Sequence, residues 1–225
     1  MTVAALILAP DPEAALAPAG STNRLRRIVD VAWSGGAVPT IVVGPDPEGR
    51  LAAAIAGAEA SALSNVPLPS DRTGAVLAGQ STAVATVEAT DAVLLWPVAM
   101  AWVDPETVTS LIEAHGADRT AILRPAYAGR PGWPILVPRP VVDAWRTLPA
   151  ETTLEAAIGA SGVTVRLLEL GDPGTAHDAT TPPETLPPYV GPLAPAAGHV
   201  HEWGEAIAET EAADPDPVEP PRPRR

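Results

Sequence analysis

Cysteine and phenylalanine are absent from the 225 residues, and every one of the fourteen basic residues is arginine. Without cysteine there are no disulfides, no thiolate metal sites and no thiol nucleophile, a usage that fits a reducing cytoplasm. Without lysine, any chemistry that needs an amine side chain is excluded. Without phenylalanine, the 46% hydrophobic content must build an aliphatic core whose only large fillers are six tryptophans. Positive charge is scarce as well. A net charge of -13 argues against nucleic acid or an anionic membrane as partner, since both require clustered cations. Such a composition, rich in Ala, Pro, Gly and Arg, is also what a biased genome produces. Long hydrophobic runs are missing too: the opening Val3–Ala9 stretch stops at Pro10-Asp11-Pro12, too short for a signal peptide or a membrane span. It reads as a buried first strand.

What is present alternates. Val3 to Leu8 and Pro39 to Val43 are strand-like, and between them Asn23 to Trp33 sets Leu25, Ile28, Val29 and Ala32 on one helical face, which is a βαβ pattern. Glu48 to Ala60 predicts a further helix, Val66-Pro67-Leu68 a short extended piece, and Gly74 to Thr86 another helix. Asp91 to Trp96 has the continuous apolar character of a central parallel strand. Asp104-Pro105-Glu106 then starts a helix with an Asp cap and a proline in the first turn. Thr120 to Arg124 and Pro134 to Val137 predict short strands around a glycine-rich turn, Val141 to Thr147 and Thr153 to Ala160 predict helices, and Val163 to Leu170 predicts a last strand. The expected fold is a three-layer α/β/α sandwich with a mostly parallel, Rossmann-like sheet over residues 1–186. Residues 187–225, rich in Pro, Ala and acidic side chains, predict a disordered tail, within which His201 to Ala212 has the spacing of a short amphipathic helix.

Several motifs occur in order: Leu8-Ala9-Pro10 ending the first strand, Asn65-Val66-Pro67, the Gly74 to Gly79 helix region, Val93-Leu94-Leu95 running into Trp96-Pro97, Gly132-Trp133-Pro134, and Asp178-Ala179-Thr180-Thr181-Pro182. From about Val3 to Leu186 this order resembles the MobA-like nucleotidyltransferases, which include the guanylyl- and cytidylyltransferases of the molybdenum cofactor. The resemblance implies the nucleotide-diphospho-sugar transferase type of fold, with Mg²⁺ as cofactor if the chain is active. It also shows where this chain departs. The family's loop Gly-x-Ser-x-Arg-x-Gly-x-x-Lys falls here on Asp11, Glu13, Ala15, Ala17 and Gly20, its metal-holding Asp falls on Ala99, and the His of its Gly-His-Pro turn falls on Trp133. Pro10 and Pro12 donate no N–H, and Asp11 and Glu13 would oppose a triphosphate that such a loop binds through amides and cations. A shifted register would make Gly20-Ser21-Thr22-Asn23-Arg24 a short anion-binding helix start.

The resemblance therefore implies a diverged, pseudoenzyme-like member that binds a nucleotide, a molybdopterin-like ligand or a maturation partner, with Asn65, Gly79, Arg124 and Asp178 as candidate ligand-binding residues and no catalytic or metal residue assigned. The alternatives are an active nucleotidyl- or sugar-transferase using relocated groups, Asp91, Asp104, Asp178 and Arg24, or an interaction module recruited through its tail. Asp104 and Asp178 have structural readings as helix caps. Arg124, Arg130 and Arg139 surround the glycine-rich turn and suit an anion, or equally the solvation of an acidic domain. His199 and His201 have extended-strand rather than helical spacing and lack a third anchored ligand. His177-Asp178 has no nucleophile in a recognisable elbow beside it.

Overall fold

In the computed structural model, which describes residues 2–63, 69 and 72–191, Thr2–Leu8 forms β1 at the centre of an eight-stranded sheet. Its unbroken apolar run is explained by burial on both sides: Ala4, Leu6 and Leu8 join one core, Val3, Ala5, Ile7 and Ala9 the other. The chain continues through α1 (Pro12–Leu16), a small hairpin of β2 (Pro18–Ala19) and β3 (Thr22–Asn23), α2 (Arg24–Ser34), β4 (Thr40–Val43), α3 (Arg50–Ala54), β5 (Ala60–Leu63) and α4 (Thr73–Thr86). There follow β6 (Thr90–Pro97), α5 (Pro105–Ala117), β7 (Ile122–Tyr127), β8 (Arg130–Pro131), β9 (Ile135–Pro138), α6 (Arg139–Ala144), α7 (Leu154–Ala160) and β10 (Val165–Glu169).

The strand order is β10-β7-β9-β6-β1-β4-β5, with β8 hydrogen-bonded to β7. β4, β1 and β6 run parallel, as do β7 and β10, whereas β9 enters antiparallel between β6 and β7. One core packs α2, α3 and α5 against the sheet, and the other packs α4, α6 and α7, so the three expected layers are present. The two fully buried tryptophans serve one core each: Trp96 donates its indole N–H to the Met100 carbonyl at 2.9 Å, and Trp145, just after α6, joins the core that α4, α6 and α7 share with the sheet.

The sequence pattern misjudges two stretches. The helix expected over Glu48 to Ala60 closes after Ala54, because Gly57 takes a left-handed conformation (φ 77°) and the chain then extends to pair β5 with β4, Thr40 opposite Ala60. Alanine favours a helix here, but sheet pairing overrides that preference. The segment between β1 and α2 is a structured excursion, α1 with the β2–β3 hairpin, where the sequence suggests only a loop. At the other end, Tyr189 donates to Glu106 at 3.1 Å and the Val190 amide to the Gly171 carbonyl at 3.3 Å. The rest of the expected tail, with His199, His201, Trp203 and Ile207, and the expected extended piece Val66–Leu68 lie outside the described residues. Among the described residues, no helix is long and apolar enough to cross a membrane.

Candidate functional site at the carboxyl ends of the strands

Parallel sheets bind ligands beyond the carboxyl ends of their strands, here the segments following β1, β4 and β6. After β1, the Asp11 carboxylate caps α1 by accepting the Glu13 amide at 3.0 Å, and Pro12 occupies the first turn. Glu13 is turned aside to Arg50, 2.6 Å away. The Glu13 carboxylate is thus paired with a cation of the protein at the surface. The shifted register is also filled from within. Asn23 caps α2 by accepting the Arg26 amide at 2.8 Å, and the Arg24 amide donates to the Ala17 carbonyl at 3.0 Å, so two amides of that helix start are already engaged.

The two metal-side positions of the family do come together. Ala99, exposed in the turn after β6, accepts from the Ala179 amide at 2.7 Å, and the Ala179 carbonyl accepts from Arg24 Nη2 at 3.2 Å. Asp178 therefore lies one residue from the Ala99 turn. Its carboxylate accepts from the Thr180 hydroxyl and amide; those two bonds, with Arg24 nearby, hold its pKa below the usual carboxylate range. This arrangement does not fit a divalent ion. Ala99 offers a methyl group where an oxygen ligand is required, Asp178 is turned onto its own loop, and among the described residues no three His, Asp or Glu side chains gather as ligands.

A cavity of about 180 Å³ opens at the same edge, walled by Leu8, Pro10, Pro97, Trp133 and Leu154, with Thr153 and Glu155 at its rim. Trp133 is held by its amide, which donates to the Thr175 carbonyl at 2.9 Å, and the Arg124 guanidinium lies 5.5 Å from its ring centre. Arg124 itself donates to the Gly132 carbonyl at 3.0 Å and pairs with Glu155 at 3.2 Å. Arg27 is similarly engaged, donating to the Ala101 carbonyl at 2.7 Å and lying 5.3 Å from the Trp102 ring centre. The arginines at this edge are thus largely occupied by protein partners.

Other candidates are placed elsewhere. Asp91 is the second residue of β6, six residues before Pro97 and so roughly 20 Å along the strand from the carboxyl edge. It faces His115 and Arg119 and takes no part in the site. Arg139 sits at that same far end, bonded to the Glu88 and Thr90 carbonyls, because antiparallel β9 carries the chain back there; it does not gather with Arg124 and Arg130. Gly79 is a packing residue. A Cβ there would stand 2.9 Å from Val43 Cγ2, so its absence lets α4 lie close on the sheet. Asn65 lies outside the described residues. Asp104 is the cap of α5, accepting the Glu106 amide at 2.9 Å.

Two residues of the site escape sequence reasoning. Trp133, in the place of a family histidine, gives no sign in the sequence that it walls a cavity. Asp172, 2% exposed, accepts from the Asp104 amide (2.9 Å), the Thr107 hydroxyl (2.7 Å) and the Gly174 amide (2.8 Å), tying the start of α5 to the turn that holds Trp133. Burial pushes its pKa up, against the pull of those donors. Its sequence signal is the turn Asp172-Pro173-Gly174, which the strand-and-helix pattern passes over.

Comparison with known proteins places this geometry in context. Rv0371c from Mycobacterium tuberculosis H37Rv superposes with a TM-score of 0.61 at 19% identity, covering 75% of this chain and 88% of that one. CMP:2-keto-3-deoxy-manno-octonic acid synthetase complexed with CTP gives 0.59 at 14% identity, covering 76% and 90%. The 2-C-methyl-D-erythritol 4-phosphate cytidylyltransferase of Thermus thermophilus gives 0.58 at 20% identity, covering 81% and 94%. The fold is therefore that of the nucleotidyltransferases. Curated proteins give no sequence match. The MobA-like NTP transferase domain matches residues 13–165, more than half of the chain, and the chain belongs to that family.

Proposed function

We propose that this chain works by binding a planar ring, of nucleobase or pterin type, at the carboxyl edge of its sheet, and that it does not carry out metal-dependent nucleotidyl transfer. The observation that carries this reading is the tryptophan-walled apolar cavity in a place where transfer chemistry calls for charge. About 180 Å³ is a little more than the ~150 Å³ that holds a benzene ring, so the cavity takes a single ring system and leaves any attached sugar or phosphate outside. In-line transfer spreads charge over several phosphate oxygens, and losing even one fixed stabiliser costs on the order of 10²-fold in rate. Here the loop Arg and Lys positions are Ala15 and Gly20, the metal Asp position is Ala99, and Arg24, Arg50 and Arg124 are bonded to protein partners. A nucleotide-like occupant is supported by the CTP complex of the octonic acid synthetase neighbour. The absence of cysteine supports a protein of the cytoplasm, and the net charge of -13 one that avoids nucleic acid and anionic membranes.

A second reading is favoured by one observation: Arg24 donates to the Ala179 carbonyl next to Asp178, beside the Ala99 turn, so these two residues are the candidates for a relocated transfer site. A manganese complex of Rv0371c is in keeping with it. Calorimetry and tryptophan fluorescence of the full chain with cytidine, guanosine, pterin, CTP and GTP, with and without Mg²⁺, separate the two. Ring binding that is indifferent to phosphates and to Mg²⁺, is lost in Trp133→Ala and comes without pyrophosphate release is the expected result. Ala99→Asp restores no turnover, because no loop cation accompanies it. Mg²⁺-dependent pyrophosphate release from CTP or GTP by the unaltered chain would establish the second reading instead.

A further inference from the structure

The last strand in the sheet order, β10, is paired on one side only, parallel to β7. The Ile122 amide donates to the Thr164 carbonyl at 3.0 Å and the Leu170 amide to the Ala126 carbonyl at 3.2 Å, so the even-numbered residues of this stretch face β7. Val165, Leu167 and Glu169 therefore turn their N–H and C=O groups outward, and among the described residues nothing pairs with them there. The same outer side is taken up again only at Gly171, whose carbonyl accepts the Val190 amide. The side chains of the three residues share one face of the sheet. Leu168 packs into a core on the opposite face, whereas Val165 and Leu167 join neither core and are 41% and 50% exposed. The usual guards of a sheet edge are missing: β10 holds no proline and its register with β7 is unbroken. Glu169, the one charged side chain on that face of the strand, spends its carboxylate on the Ala128 and Gly129 amides at 2.7 and 3.1 Å.

We propose that the outer edge of β10 docks an extended segment of a partner protein, added as an antiparallel strand, apolar on one face and basic at its ends. Each part of that description answers an observation. A row of main-chain donors and acceptors is met in full only by another extended main chain. Antiparallel pairing puts the residues that share the Val165 and Leu167 face into the hydrogen-bonded pairs, so those residues of the segment are the apolar ones. Basic ends complement a chain of net charge -13. A second copy of the chain fits less well. Twofold pairing centred on Leu167 would match the three free residues but bring Val163 of the second copy against Gly171, where Val190 already sits, and two acidic chains repel. This edge does not depend on the ring-binding reading.

The probe is the capped synthetic peptide Arg-Val-Thr-Val-Thr-Val-Arg, with a counterpart whose three valines carry N-methyl groups and so lack the donors that face β10. In ¹H–¹⁵N spectra of the full chain, the Val165, Leu167 and Glu169 amide signals move saturably with the first peptide. The methylated peptide moves none of them. Leu167→Lys, at a half-exposed position, leaves the melting temperature unchanged and weakens binding about tenfold, because an apolar cross-strand pair is lost and a charge like the peptide's own is added beside it. Amide signals unmoved up to about 1 mM peptide, equal binding of the methylated peptide, or undiminished binding by Leu167→Lys would each overturn the proposal. So would sedimentation showing that the unaltered chain is a dimer and Leu167→Lys a monomer, since a second copy would then hold the edge.

Discussion

Gly132→Ala tests how the candidate site is held together. A Cβ at Gly132 would stand 2.7 Å from the Thr175 carbonyl carbon and closer still to its oxygen, an overlap that neighbouring backbone must relieve. That backbone has nowhere to retreat, because Gly174 in the same turn is pressed against the Trp102–Val103 main chain, where an added Cβ would stand 2.7 Å from the Val103 nitrogen and closer still to the Trp102 carbonyl. Two costs follow: overpacking, about 1–3 kcal/mol, and loss of the Trp133 amide bond to Thr175, about 1 kcal/mol. Their sum, roughly 2–4 kcal/mol, lowers the melting temperature of a domain of this size by roughly 5–15 °C. Gly159→Ala is the control, since nothing lies within 4 Å of its added methyl group; in α7 it should stabilise by about 0.5–1 kcal/mol. Thermal unfolding by circular dichroism measures both. A Gly132→Ala protein melting as the unaltered chain does would refute the close approach as the element that fixes Trp133.

Two further predictions concern buried and capping groups. Burial, the larger effect, lowers the His115 pKa against the attraction of Asp91 at 3.9 Å, so the folded chain resists the proton that the unfolded chain accepts. Stability attached to this residue is present above about pH 6.5 and is lost as pH falls below it; urea unfolding at pH 7.5 and 5.5 should show a smaller acid loss in His115→Leu, and an equal loss in both proteins would acquit the histidine. Asp104→Ala removes the cap of α5 and should cost about 1 kcal/mol, whereas Asp104→Asn, which keeps an accepting oxygen, should stay within a few tenths. If differential scanning calorimetry finds both variants equally destabilised, the carboxylate charge rather than the cap matters.

The sheet is largely legible in the sequence because its signals are local. Continuous apolar runs at β1, β4 and β6 and the Asp-Pro start of α5 each carry their own physical cause, and the family resemblance rests on the order of such landmarks. Site assembly is less legible. Asp91 and Asp104 look alike in sequence, yet only the strand direction tells which end of the sheet each occupies. Arg139 misleads for the same reason: a reversed β9 sends it to the far edge. Gly79 keeps its family position for packing, not for a ligand. The pairing of Glu13 with Arg50 joins residues far apart in the chain, and no spacing rule foretells it.

The junction of Trp102, Gly132 and the Pro173–Thr175 turn is built from main chain pressed on main chain, with glycine at each contact. Apart from those glycines, such a joint depends little on which side chains its neighbours carry. Loops that bear reactive groups can therefore mutate freely while the frame that aims them stays assembled. A chain jointed in this way can change the side chains of its loops and keep the same cleft between them.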